Sequence, residues 1–260
     1  MLGEPRLVPG TSARGERIGG VACTVVEPEG ATRTVLYLHG GGYRLGSPAG
    51  WITFASGLAA SAAARMVIVD YRLAPEDPFP AALHDAASVY DALLDAGTPA
   101  GAIVFAGDSA GGGLAAALTL ACAPSARPLP AGVLLISPWV DLSVDASTYS
   151  SRAATDQLFS EASAREAADA YLQGFDARDP LASPRFGDVN GFPPTLVFGG
   201  GAEVLLDDAL RFTARLADAG TSVELHVVAG MQHVWPTIFH DLDESVAAIA
   251  AMARFLQRVS

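Results

Sequence analysis

The stretch Ala102-Ile103-Val104-Phe105-Ala106-Gly107-Asp108-Ser109-Ala110-Gly111-Gly112-Gly113-Leu114-Ala115-Ala116-Ala117-Leu118 changes character in its middle. Its first five residues form a short apolar run, the mark of a buried strand. The residues after the glycines are Ala- and Leu-rich with no breaker before Pro124, and read as a helix over 109–123. Between the two stands G-x-S-x-G, a pattern that occurs by chance but gains meaning from the order strand, tight turn, helix. A turn this sharp holds the serine in a strained backbone conformation, and side chains at the flanking positions would collide with neighbouring elements. Ser109 then projects its hydroxyl above a sheet, at the amino end of a helix. Free amides and a partial positive charge at that end suit a developing oxyanion.

Outward from this turn, short apolar runs alternate with longer Ala- and Leu-rich segments, the pattern of βαβ units around a parallel sheet. Strands are predicted over 21–26, 34–38, 66–70, 102–106, 132–137, 195–198 and 223–228. Helices are predicted over 49–64, 80–96, 109–123, 206–219 and 243–258. The central strands are apolar almost throughout, as expected when helices cover both faces. The fold class is α/β, a mostly parallel central sheet flanked by helices, with 1–260 as a single domain. The stretch 141–191 breaks the rhythm and separates two strands by far more than an ordinary connection. It is expected to be a small helical cap, with helical spacing over 160–174, inserted over the carboxyl edge of the sheet where open α/β sheets bind ligands. A decorative surface excursion is the plainer alternative.

Half of the residues are hydrophobic and 17% are charged, enough for a sizeable core. The net charge is −12 and every basic residue is arginine, since the chain has no lysine. Schiff-base, Ser–Lys and Walker A chemistry are thereby excluded. An acidic chain with scattered arginines also lacks the basic patch that nucleic acid or an anionic membrane would require. Cys23 and Cys122 sit among apolar residues and read as small buried side chains. The first residues lack a signal-peptide pattern, and no apolar run reaches the ~18 residues of a membrane span, so a cytoplasmic location is expected.

Strand 34–38 ends in His39-Gly40-Gly41-Gly42-Tyr43. Consecutive glycines let the backbone approach a ligand and turn its amides inward, and such a loop beside a serine elbow supplies oxyanion donors. Of the five histidines, His39 belongs to this loop and is expected to make an orienting hydrogen bond. His84 in a helix and His226 in a strand read as structural, and His240 as solvated. That leaves His233, in Gly230-Met231-Gln232-His233 after the last strand, as the base. With two remote cysteines and no H-x-x-x-H, neither a metal site nor a cofactor is expected. The third member should be a carboxylate lying between nucleophile and base in sequence. Glu203, nearest the end of strand 195–198, is favoured over Asp207, which with Asp208 has a ready role as a first-turn acid of the next helix.

With these motifs assembled, the sequence resembles the hormone-sensitive-lipase-like family of bacterial carboxylesterases, from about Val21 to the end. The markers are His39-Gly40-Gly41-Gly42-Tyr43, Asp70-Tyr71-Arg72-Leu73-Ala74-Pro75-Glu76 with Phe79-Pro80, Gly107-Asp108-Ser109-Ala110-Gly111-Gly112, and Gly230-Met231-Gln232-His233. The resemblance implies the α/β-hydrolase fold, Ser109 as nucleophile, His233 as base, and Gly41, Gly42 and Ala110 as oxyanion donors. The sequence departs from the family in two places, and the first is the acid: the family's is usually an aspartate in D-x-L-x-D, whereas Glu203-Val204-Leu205-Leu206-Asp207 stands here. Members also often carry a longer amino-terminal region that contributes to the cap. Here that contribution is expected to be short and the pocket correspondingly open.

The expected activity is hydrolysis of short- to medium-chain esters or lactones through an acyl-enzyme on Ser109, without a cofactor. Tyr43, Trp51, Leu158, Phe159, Leu205 and Trp235 are the candidate pocket residues, chosen for proximity in sequence to the motif loops or the cap. By resemblance a homodimer is plausible. Amidase or transacylase chemistry would use the same three residues. A catalytically silent small-molecule binder on the same fold is a rival, but such a protein typically loses a member of the triad. A nucleotide site at Gly199-Gly200-Gly201 is weaker, because Val204 stands where G-x-G-x-x-G needs its third glycine.

Overall fold

The computed structural model of the protein describes residues 5–259. Eight strands form one sheet: β1 (Thr11–Ile18), β2 (Val21–Pro28), β3 (Arg33–Leu38), β4 (Ala64–Val69), β5 (Ile103–Asp108), β6 (Gly132–Ile136), β7 (Thr195–Gly200) and β8 (Val223–Val228). Their order is β1-β2-β4-β3-β5-β6-β7-β8. β2 is antiparallel to both of its neighbours, and β3 to β8 are parallel. The helices are α1 (Ile52–Ala62), α2 (Ala81–Asp95), α3 (Ala110–Cys122), α4 (Thr148–Ser151), α5 (Glu161–Leu172), α6 (Leu206–Asp218), α7 (Trp235–Ile238) and α8 (Asp243–Arg258).

Strand period two divides the apolar residues between two cores. Leu36, Leu38, Phe105, Leu135 and Val197 face α2, α3 and α6, and pack with Tyr90, Leu114 and Phe212. Val35, Tyr37, Val104, Leu134 and Phe198 face α1 and α8, and pack with Phe54, Leu58, Met252 and Phe255. The second face is tied further by Arg33. Its guanidinium donates to the backbone carbonyls of Leu256, Gln257 and Val259, where the carbonyls ending α8 have no partner within the helix.

The chain steps from β3 to β4 on one side and then returns to β5 on the other. The loops that leave the carboxyl ends of β3 and β5 therefore lie side by side, at the switch point where open α/β sheets bind ligands. The glycine loop follows β3 and the Ser109 turn follows β5, so topology alone brings the two motifs together.

Two features differ from the sequence reading. Residues 11–18 form the edge strand β1. The expected short amino-terminal contribution to the cap is not found among residues 5–18. Residues 11–18 pair with β2 instead, and Arg6 and Val8 donate their backbone N–H groups to Thr53 and Ser56 of α1. The excursion 141–191 carries α4, α5 and a short 3-10 turn at Pro184–Phe186. Its helix α5 begins with a capping box, Ser160 and Ser163 each accepting the other's backbone N–H. Val144, Tyr149, Ala164, Ala167, Tyr171 and Leu172 from this excursion join the same core as Phe105 and Leu114.

Candidate active site

Ser109 links β5 to α3 with φ 53° and ψ −123°, a conformation that L-residues rarely adopt. The neighbouring strands hold it there. Its N–H donates to Ile136 O at 2.9 Å, and its carbonyl accepts from Trp139 N–H at 2.9 Å. The elbow rides so close to the glycine loop that a Cβ on Gly111 would stand 2.0 Å from Leu38 O, which is why the position admits no side chain.

Ser109 Oγ lies 2.9 Å from His233 Nε2, and His233 Nδ1 lies 2.9 Å from Glu203 Oε2. Glu203 Oε1 accepts Gly200 N–H at 2.8 Å, so both carboxylate oxygens are fixed. A carboxylate oxygen beside Nδ1 favours the tautomer with its proton there, which leaves Nε2 to accept from the serine. All three side chains are buried. Asp207, the other candidate acid, lies in the first turn of α6, accepts Ser147 N–H at 3.0 Å and pairs with Arg211. The glycine run 199–201 also has an explanation other than nucleotide binding. A Cβ on Gly200 would lie 2.5 Å from Met231 O, so the small residue lets the loop carrying His233 lie against β7.

The glycine loop is braced on several sides. Tyr71 OH donates to His39 O at 2.6 Å, and Ala74 N–H donates to Tyr43 O at 2.8 Å. These bonds give a structural role to the run 70–76 that the sequence marked. His39 is buried between Trp51 and Tyr71, with ring centroids at 5.0 and 4.4 Å, and its Nδ1 lies 2.8 Å from Gly40 O. Burial lowers its pKa, so at neutral pH it holds that carbonyl as a neutral ring. Among the described residues, no protein acceptor takes the N–H of Gly41, Gly42 or Ala110. His226 stacks on Phe198, whereas His84 is exposed and His240 is half-buried rather than solvated.

Asp108 carried no signal of its own in the sequence. Its buried carboxylate accepts from Tyr37 OH at 2.8 Å and from Gly40 N–H at 3.0 Å, pinning the start of the glycine loop beside Ser109. Desolvation raises it from its ordinary range to about 6. Between pH ~4 and 6 the unfolded chain has lost this proton and the folded chain keeps it, so the folded state loses stability as pH rises, by about 1.4 kcal/mol per unit. Asp108→Asn removes that dependence. The expected result is that the Tm of wild type falls relative to that of Asp108→Asn as pH rises from 4 to 6, and runs parallel to it above that. Parallel curves across the whole range would contradict the assignment.

A cavity of about 360 Å³ opens onto Ser109 and His233. Trp51, Leu158 and Phe159 line it, together with Arg44, Leu45, Ala167 and Ile238, which the sequence reading did not name. Phe159 lies over the His233 ring with centroids 5.4 Å apart. Tyr43, Leu205 and Trp235 are corrections. Tyr43 has φ 61°, turns into the core and stacks on Tyr171 at 3.8 Å. Leu205 packs in the core on the α2–α3–α6 face, and Trp235 in the core on the α1–α8 face against Phe198. Among the described residues there is no cluster of His, Cys, Asp or Glu able to hold a metal ion, and no helix is long and apolar enough to cross a membrane.

A mostly parallel sheet with this strand order, a strained serine at its switch point and a glycine loop alongside define an α/β-hydrolase-type site. The α/β-hydrolase fold family matches residues 35–237. An acetyl-hydrolase of Streptomyces hygroscopicus is 44% identical over 225 residues, covering 86% of this chain and 75% of that protein. A putative acetyl-hydrolase of Mycobacterium tuberculosis, LipR, is 37% identical over 254 residues, covering 97% and 82%. The crystal structure of an esterase from the bacterial hormone-sensitive lipase family superposes with a TM-score of 0.95 at 38% identity, covering 98% of this chain and 86% of that one. The chain belongs to the hormone-sensitive-lipase-like esterases of the α/β-hydrolase fold family.

Proposed function

We propose that the protein is a serine carboxylesterase that cleaves small acyl esters through an acyl-enzyme on Ser109. The observation that carries this reading is the relay Glu203–His233–Ser109, with both contacts at 2.9 Å, ending in an apolar cavity lined in part by Gly41 and Gly42. Ser109 Oγ attacks the ester carbonyl while His233 Nε2 takes its proton, and Glu203 stabilises the imidazolium that forms. The N–H groups of Gly41, Gly42 and Ala110 receive the charge that develops on the carbonyl oxygen. His233 returns the proton to the leaving alcohol, and water releases the acyl group by the same route.

The volume, about 360 Å³, is near the lower end of the ~300–1,000 Å³ range of small-molecule pockets, which favours short and medium acyl groups. The description of two relatives as acetyl-hydrolases agrees with that size. The test is hydrolysis of p-nitrophenyl esters across acyl lengths. Acetyl to hexanoyl esters are expected to give the highest kcat/KM, with a steep decline for long chains. Preference for long-chain acyl groups would overturn the size argument. A folded wild type inert toward every ester, and as inert as Ser109→Ala, would favour a small-molecule binder.

A further inference from the structure

The segment Thr155–Phe159 joins the cavity wall to the two loops that carry the acid and the base. On the acid side, Thr155 Oγ1 donates to Ala202 O at 2.9 Å and Val204 N–H donates to Asp156 Oδ2 at 2.9 Å, so the two bonds flank Glu203. On the base side, Gln157 N–H donates to Gln232 Oε1 at 3.0 Å and Gln232 Nε2 donates to Thr155 O at 2.9 Å, immediately before His233. Within the segment, Asp156 Oδ1 accepts the N–H groups of Leu158 and Phe159, both at 3.0 Å. Those two residues line the cavity, and Phe159 stacks on the His233 ring.

We propose that Asp156 is a positioning residue for the reaction, clamping the wall formed by Leu158 and Phe159 to the loop of Glu203 so that wall, acid and base keep one register. The proposal rests on the esterase reading above. Its carboxylate is buried, with 8% of the residue exposed, and satisfies three backbone donors from two segments far apart in sequence. A carboxylate offers two accepting oxygens, and this site uses both. An asparagine of the same volume has one accepting oxygen and one amide nitrogen. Whichever way it turns, that nitrogen faces backbone N–H, and either the Val204 contact or the Leu158–Phe159 contacts are lost. Asp156 touches neither the reacting atoms nor the cavity's contents; it acts through Glu203 and Phe159.

The experiment compares Asp156→Asn, Glu203→Gln, their double mutant and Thr155→Val with wild type. It uses p-nitrophenyl acetate and hexanoate, with active sites counted by exhaustive fluorophosphonate labelling. Asp156→Asn is expected to lower kcat per labelled site by about 10–100-fold, the usual cost of losing an outer support, while KM for the acetate stays within about 3-fold. In the Glu203→Gln background the same change is expected to cost less than about 3-fold, because groups that act through one another are not additive. Wild-type kcat in Asp156→Asn, or a loss that multiplies in full onto that of Glu203→Gln, would overturn the proposal. So would a loss confined to KM or to the number of labelled sites.

Should Asp156→Asn fail to fold, Thr155→Val decides: lowered kcat at unchanged KM supports the coupling, and wild-type kcat overturns it. A wild type inert toward esters but labelled by fluorophosphonate would overturn the esterase reading alone. The rate of Ser109 labelling would then replace kcat in the same comparisons. A wild type that neither hydrolyses nor labels would overturn both.

Discussion

Ser109→Ala should lower kcat on p-nitrophenyl butyrate by about 10⁴–10⁶-fold, the loss seen when a serine nucleophile is removed from an intact triad. The size of the effect follows from the geometry. Ser109 Oγ is the atom within hydrogen-bond reach of His233 Nε2 at the floor of the cavity, at 2.9 Å. With the hydroxyl gone, His233 has nothing to activate except water. A residual rate of about 10³-fold over the uncatalysed reaction is still expected from the oxyanion amides and binding alone. The backbone at this position is already strained with serine in place, so alanine should fold, and Tm beside kcat checks that it does. A variant retaining more than about 1% of wild-type kcat would place the nucleophile elsewhere, since loss of a nucleophile costs orders of magnitude more.

Glu203→Gln is the second large effect, with an expected fall in kcat of about 10⁴-fold, as when a triad carboxylate becomes an amide. The amide oxygen can still accept Gly200 N–H, which leaves the amide nitrogen facing His233 Nδ1. A donor at that place favours the tautomer with its proton on Nε2, and that nitrogen then cannot accept from Ser109. Asp207→Asn is the control, expected to keep kcat within about 3-fold because its carboxylate serves Ser147 and Arg211, distant from the reacting atoms. Reversal of these two outcomes would move the acid to Asp207.

The contrast between Glu203 and Asp207 shows what the sequence could and could not say. Most of the strands and helices and the four motifs were legible because each is local: an apolar run, a glycine turn or a capped helix announces itself within about ten residues. Choosing between two acids four positions apart depended on where β7 stops and α6 starts, which only the fold decides. β1 escaped notice because an edge strand need bury little. In Thr11–Ile18 only Ile18 is a buried apolar residue, so the run lacks the alternation that marks a strand. Tyr43, Leu205 and Trp235 stood next to motif residues, yet adjacency along a chain does not fix the direction of a side chain; the positive φ of Tyr43 turns its ring into the core. Asp108 and Asp156 were invisible for the opposite reason. Their partners lie 68 and 48 residues away for the Gly40 and Val204 contacts, and no local pattern records such a bond.

Seating the excursion 141–191 in the main core has a consequence for how molecules enter. Tyr171 lies flat on Tyr43 at 3.8 Å, and Ala167 closes over the glycine loop, with its Cβ 3.2 Å from where a side chain on Gly42 would begin. Swinging this roof aside would strip buried aromatic faces of their partners, at a cost of about 1.5–3 kcal/mol for each large side chain returned to water. The roof beside Ser109 is therefore expected to stay seated as molecules enter, so that the width of the cavity rather than a swinging cover would limit what reaches the serine.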